Sequence, residues 1–504
     1  MPLIKTVPVG GGMWESSGGN TQLKTADDVD FAKYKAIAMC CDNGTSFPAS
    51  PNTGQWFYRS DIDTLFIYEA AWKAIISFGA VTLYVDGTNG SDAVGKGYAS
   101  GADATATIQY AIDLIPPING GNIIVNVAAG TYNITDSINI QGKAFSGAYT
   151  LKIVGAMTEL QAQLTADSAT AYSSGTQATF TDTGAFAGDS FAFKVLRITG
   201  GTGYQSTAGL EWENDYIIES HTDDVLTIIG NWWNGTPNGT TTYKVLDWGS
   251  VVDGGATAVN GIRILGGQKS VKIYQMKVED VTYACVDIFQ WSYCDLYTVY
   301  LGSTRSVAIV LPYRGFCIAG NINCLLLNST SIRGLYLDYF SQTLYSVADV
   351  YYGLTNSYLK ATNPINVNFH SELGYNNLKG NKIVCQGVGG NGGIWAGFFS
   401  FVELAWTIVD GASTDKHCLY LNGMSTARIW AGCEFKNANT GYDGIRSEGN
   451  SVAMAFQAGI KCTNNGGWGV NTTQKSLGAG VSSNITYSGN TSGTYTADAS
   501  STNT

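Results

Sequence analysis

A chain of 504 residues is longer than one hydrophobic core ordinarily serves, so several domains or a solenoid are expected. Gly is abundant (62), Pro is scarce (9) and charged residues make up only 13%, which argues against helical bundles and disorder and for strands joined by tight turns. The net charge of −11 with no basic run argues against nucleic acid or an anionic membrane as partner.

Residues 1–53 form a weakly patterned arm rich in Gly and Ser. Thr25 and the acidic residues after it offer caps for a short helix reaching Lys33. Met1-Pro-Leu-Ile-Lys-Thr-Val-Pro-Val-Gly carries no signal-peptide apolar core, so synthesis in the cytoplasm without general secretion is expected. No apolar stretch approaches the roughly 20 residues of a membrane span. The ten cysteines include no C-x-x-C pair and are read as buried thiols. With three scattered histidines (His221, His370 and His417), neither a metal site nor a cofactor is expected.

Residues 54–80 are a hairpin module. Gly54-Gln-Trp-Phe-Tyr-Arg and Thr64-Leu-Phe-Ile-Tyr-Glu flank the polar turn Ser60-Asp-Ile-Asp, with Trp72 beyond. The pattern resembles small hairpin modules of phage tail fibres and other virion proteins. That resemblance implies a virion attachment or subunit contact through the N-terminal region.

Residues 81–159 read as the capped start of a solenoid. Val81-Thr-Leu-Tyr-Val is a strand, and Ile108, Ala111, Ile112 and Ile115 recur at helical spacing until Pro116-Pro117. Asn122-Ile-Ile-Val-Asn-Val and Leu151-Lys-Ile-Val-Gly are buried strands. A solenoid must hide the apolar end of its first coil, and an amphipathic helix does so. Thr107-Ile-Gln, Ala111-Ile-Asp and Gly130-Thr-Tyr resemble the start of the pectate-lyase-like β-helix superfamily, in the form found in phage tailspikes. The resemblance implies a fold and carries no activity over, because the calcium-binding Asp cluster of true pectate lyases has no counterpart.

Residues 160–250 break the coil period. Closely spaced strands at Val195, Asp215, Val225 and Thr242 predict a small antiparallel β-barrel or sandwich inserted between coils. Gly200-Gly-Thr-Gly lacks the Lys-Ser/Thr and the helix of a phosphate loop.

Residues 251–480 carry the repeat. Val271-Lys-Ile-Tyr is followed by Cys294-Asp-Leu-Tyr. Further on, Cys418-Leu-Tyr-Leu, Gly444-Ile-Arg-Ser and Trp468-Gly-Val-Asn return at nearly the same step. Short β-branched and aromatic runs with a period of this length predict one coil each of a parallel β-helix, right-handed by the crossover rule. The fold class is therefore all-β: a right-handed parallel β-helix with an N-terminal arm and hairpin and an inserted barrel. Residues 481–504 are a polar tail.

Three functional readings follow. The first is recognition of a host cell-surface glycan by a tailspike or tail fibre, with Trp291, Tyr336, Tyr351, Tyr352, Trp395 and Trp406 as candidate platforms for sugar rings. The second is polysaccharide cleavage, which needs two carboxylates flanking the glycosidic bond. Asp338, Asp349 and Glu372 are the candidates, with Asp287 and Asp295, and Glu403 and Asp410, behind them. Depolymerase activity stays open at this point. The third is a structural virion fibre that binds only other virion proteins. Tailspike relatives trimerise, so the resemblance implies a homotrimer on the virion tail.

Overall fold

The computed structural model describes residues 14–17, 20–23 and 42–503, except 173–176, 189, 205–213, 231, 233–234, 267, 269–270, 290–291, 303–306, 312–317, 329–332, 338–341, 344–353, 356, 362, 368–371, 374–380, 386–391, 413, 475–476, 480–483 and 498–501. The short helix expected from Thr25 to Lys33 lies outside the described residues.

From Val81 onward the chain winds as a parallel β-helix. Two long parallel sheets run along its axis, one of 23 strands and one of 11 among the described residues. The 11-stranded sheet takes one strand from each coil, from Ile138–Ile140 to Gly493–Ala497.

The stack is held by inward ladders of like residues. In the 11-stranded sheet one ladder runs Ile138, Ile262, Val286, Ile309, Leu335, Ile365, Ile394, Leu419, Ile445 and Val470. All are essentially buried in one continuous core. Each such side chain contributes about 1.5–3 kcal/mol by leaving water. The ladder also sets the register, because a slip of one residue would turn every apolar group outward.

The step from Val271 to Cys294 is a true coil step, since the two pair directly. At the other end the step differs from the sequence reading. Ile445 pairs with Val470, so Gly444 stands opposite Gly469 and not opposite Trp468. The coil is thus one residue longer than the spacing of Gly444 and Trp468 suggests. Trp468 belongs one position earlier, where its amide meets Asp443.

A helix packs on the first coil. Helix Ile108–Leu114 buries Ile108, Ala111 and Ile112 against the strands Val81–Val85 and Ile138–Ile140. Thr107 is its N-cap and accepts from the amide of Tyr110 at 3.2 Å, while Asp92 accepts from the amides of Ala106 and Thr107. The Gln109 side chain clamps the backbone of Asn139 through two hydrogen bonds, fixing helix to sheet.

The hairpin module has a third strand beyond the two that the sequence pattern marks. Trp56–Arg59, Thr64–Tyr68 and Trp72–Ser77 form an antiparallel meander. Trp72–Ser77 then pairs in parallel with Ile118–Asn119, which ties the module to the capped coil. Phe47 stacks on Trp72 with ring centres 4.9 Å apart, and the Arg59 guanidinium lies over Phe47 at 5.0 Å.

The insertion leaves the coil at Ala156 and returns at Gly249, where the Gly249 amide donates to the Ala156 carbonyl. It is a seven-stranded antiparallel sheet around its own core of Phe180, Phe186, Phe191, Tyr216 and Tyr243. In strand order its ends are Met157–Thr165 and Ser168–Thr170. It does not project freely, because it packs back on the outer face of the coils through Tyr300, Tyr358 and Ile408.

Six cysteines (Cys285, Cys294, Cys385, Cys418, Cys433 and Cys462) are free and buried, and burial raises each thiol well above its ordinary pKa. They serve as small apolar members of the core. Among the described residues no helix is long and apolar enough to cross a membrane, and no group of three His, Cys, Asp or Glu is placed to hold a metal ion.

Candidate functional site: the outer ladder of the 11-stranded sheet

Side chains next to an inward ladder alternate to the outside of the sheet. One position beyond the apolar ladder, successive coils therefore bring Arg263, Asp287, Tyr336, Asn366, Trp395, Tyr420, Arg446 and Asn471 into a single outward row, with position 310 between Asp287 and Tyr336. Strands lie about 4.8 Å apart, so neighbours in the row are in reach of one another. Arg263 donates to Asp287 at 2.9 Å.

The richest part of the row is its last third. Asp443 lies just before the sheet strand Ile445–Ser447 and is buried. Its carboxylate accepts from the Trp468 amide at 2.7 Å, from Asn471 Nδ2 at 3.1 Å and from Arg446 at 3.4 Å. Arg446 reaches the other way to Glu448, also at 3.4 Å. Glu448 in turn accepts from the Tyr420 hydroxyl. One guanidinium thus spans two carboxylates, with tyrosine and asparagine side chains on either side.

Burial pushes the Asp443 carboxyl above the usual range, and the Trp468 amide and Arg446 oppose that shift. Burial, and then the bond to Glu448, raises the Tyr420 hydroxyl, so it stays a donor. His417 lies 3.4 Å from the Asp443 carboxylate, a distance at which an ion pair could form. Burial, helped by the Arg446 charge, instead pulls its pKa down to about 3. The hydrogen bonding agrees with the neutral form: His417 Nδ1 accepts the Asp443 amide hydrogen at 2.9 Å, so Nδ1 carries no proton for the carboxylate.

Several buried polar atoms along this sheet have no hydrogen-bond partner among the described residues: Asp287 Oδ1, Trp395 Nε1, Asn471 Oδ1 and Thr473 Oγ1. An orphaned buried polar atom costs about 1–3 kcal/mol, so its persistence calls for a reason.

Of the residues expected to bind glycan, Tyr336 and Trp395 both fall on this row, with Asn366 between them. Trp406 does not. It packs edge-on against Tyr172 at 5.7 Å, in the seam between insertion and coils. Trp291, Tyr351 and Tyr352 lie outside the described residues, as do the carboxylate candidates Asp338 and Asp349. Glu372 is on the strand Glu372–Leu373 of the other sheet, between Gln342 and Phe401. The pair Asp287 and Asp295 is divided between the two sheets: Asp295 meets Lys272 at 3.4 Å on the 23-stranded one. Glu403 accepts from Trp430 Nε1 and Asp410 from Asn437, each in a local bond.

The sequence reading missed Tyr420, Asp443, Arg446 and Glu448. The signal was present in the repeat, since the residue after each of Leu419, Ile445 and Val470 had to share a face. Reading it required the coil step from Ile445 to Val470, which only the pairing shows.

No protein-family model and no curated protein sequence matches the chain. Among solved structures it is similar to the tailspike protein gp49 of Pseudomonas phage LKA1, at 14% identity over 78% of this chain and 71% of that chain, with a TM-score of 0.23. It is also similar to a glycoside hydrolase, at 8% identity over 84% of this chain and 96% of that chain, with a TM-score of 0.25. A third is the tailspike gp54 of Acinetobacter baumannii bacteriophage AP22, solved with A. baumannii capsular saccharide, at 8% identity over 73% of this chain and 64% of that chain, with a TM-score of 0.20. Two of these are tailspikes and one is a glycoside hydrolase, all at low identity, and no residue's role is carried across from them.

Proposed function

We propose that this chain is a tailspike-type virion fibre that recognises a host cell-surface glycan along the outer row of its 11-stranded sheet. One observation carries the reading. Trp395, Tyr420, Arg446 and Asn471 stand side by side on a rigid sheet, with the Asp443 and Glu448 carboxylates beside them. Aromatic rings give apolar area to a sugar's faces, and fixed carboxylates and amides select its hydroxyls. Backbone ladders hold the row, so little conformational entropy is lost on binding.

Binding is favoured over cleavage as the role of this site. A general acid needs a proton to give, and Asp443 is committed to three donors. Glu448 is the freer carboxylate. The second reading, depolymerase activity, rests on the raised Asp443 carboxyl sharing one guanidinium with Glu448. Incubation with host-range polysaccharides separates the two. Retention without new reducing ends or unsaturated uronates supports an adhesin, and release of oligosaccharides supports an enzyme. Absence of both retention and release would sink the glycan reading in favour of a structural fibre.

Assembly as a homotrimer, placement on the virion tail and attachment to other tail proteins through the N-terminal region belong to the same reading. Exposed Phe398, Phe399, Met424 and Phe456 support a subunit contact, because large apolar groups left in water favour cover from another chain. Light scattering that returned a stable monomer would remove the trimer.

A further inference from the structure

We infer that the outer row accepts neutral or amino sugars and rejects glycans built from uronic or sialic acids. This rests on the glycan reading of the row and goes beyond it by naming the class of sugar.

The argument is one of charge and saturation. An acidic sugar needs a cation with free donors, most often an Arg able to meet its carboxylate with two parallel bonds. The row has two arginines among its described side chains. Arg263 is spoken for by Asp287. Arg446 is shared between Asp443 and Glu448. His417 is neutral at physiological pH, with its pKa drawn down to about 3. The Asp443, Arg446 and Glu448 group therefore carries two negative charges against one positive, a net of minus one. A carboxylate arriving there would meet repulsion and would have to displace an existing partner from Arg446. A hydroxyl or an ammonium would meet acceptors instead.

A second observation points to a ligand independently of the charges. Asn471 is only 8% exposed and its amide nitrogen is fixed on Asp443, yet its carbonyl oxygen Oδ1 has no partner among the described residues. That oxygen accepts and cannot donate, which suits a sugar hydroxyl or amine and not a carboxylate. Thr473, two positions further along the chain, likewise has an unpartnered hydroxyl.

The test is an array printed with dextran, chitin hexamer, chitosan hexamer, polygalacturonate and polysialic acid, probed with the intact protein. Retention on members of the first three and about tenfold or weaker retention on the two acidic polymers is expected. For the wild type, retention on chitosan should also fall as salt rises, because the ammonium is attracted by the net negative group. Glu448→Gln brings the net charge of the group to zero and keeps an acceptor for Tyr420, so it should narrow the gap between neutral and acidic polymers. Preferred retention of polygalacturonate or polysialic acid by the wild type overturns the inference while leaving glycan recognition standing. A gap left unchanged by Glu448→Gln overturns the assignment to this group. No retention of any polymer counts against both the inference and the glycan reading.

Discussion

His417 Nδ1 accepts the backbone amide hydrogen of Asp443 at 2.9 Å, across one coil of the helix: the two residues are 26 positions apart and stand in the same column of the 11-stranded sheet. This bond decides the protonation state of the histidine. A proton on Nδ1 would break it and leave the Asp443 amide facing a cation.

A pH dependence follows. The folded pKa of His417 is about 3, below its unfolded value of about 6.5. Between those values the unfolded chain binds a proton that the folded chain does not. Stability from this residue is therefore complete above about pH 6.5 and is lost as pH falls toward 3, by at most about 1.4 kcal/mol per pH unit. Asp443 acts in the opposite sense, because its raised carboxyl takes up a proton more readily when folded. Chemical denaturation of the wild type and of His417→Asn from pH 7 to pH 4 checks this. The variant should show the flatter acid limb, and parallel curves would refute the assignment.

Removing Asp443 should cost more than removing Glu448. Asp443→Ala leaves the Trp468 amide and the Asn471 amide nitrogen without their acceptor in a buried place. The expected loss is about 1–3 kcal/mol for each group so stranded. Glu448→Ala removes a partner of Tyr420 and Arg446 nearer the surface, with an expected loss of about 1 kcal/mol. Urea melts of the two variants give the comparison, and equal losses would mean Asp443 is not a structural anchor.

One buried acid helps to join the insertion to the coils. Asp215 is fully buried, accepts from Arg197 Nε and Nη2 at 2.6 and 2.7 Å, and accepts from the Thr298 hydroxyl at 2.7 Å. Asp215→Ala removes the buried acceptor of two Arg197 bonds and should cost about 3–5 kcal/mol, whereas Thr298→Ala should cost about 1 kcal/mol. Hydrogen exchange should show faster opening in 195–228 for both variants, more for Asp215→Ala. Unchanged protection there would show that apolar packing alone holds the seam.

The cap of the first coil is separable from the site. Thr107→Ala should lower stability by about 0.5–2 kcal/mol and leave glycan retention unchanged, because the residue caps the helix Ile108–Leu114 and lies far along the axis from Arg446. Loss of retention at full occupancy of the folded state would tie the cap to recognition.

Much of the architecture is legible without any knowledge of pairing. The helix starting after Thr107 and ending before Pro116, the strands at Val81, Ile123 and Leu151, and the step from Val271 to Cys294 all follow from local pattern. The site is less legible. Tyr336 and Trp395 stand out in the sequence only as aromatics with no known face, and they fall into one row. Trp406 stands out for the same reason and falls into a seam with Tyr172.

What the amino-acid order determined by itself was the kind of object: a strand-rich solenoid with a helix near its start and an antiparallel interruption, read as a barrel and found as a sheet. Those properties are local or periodic, and burying an apolar residue every coil leaves little freedom about them. Only the tertiary structure decided which side chains share a face. In a repeat this irregular, a coil and one a single residue longer look alike, yet a shift of one residue exchanges inside for outside. It is the pairing of Ile445 with Val470 that puts Arg446 beside Asn471, and with them Asp443 and Glu448 into one group.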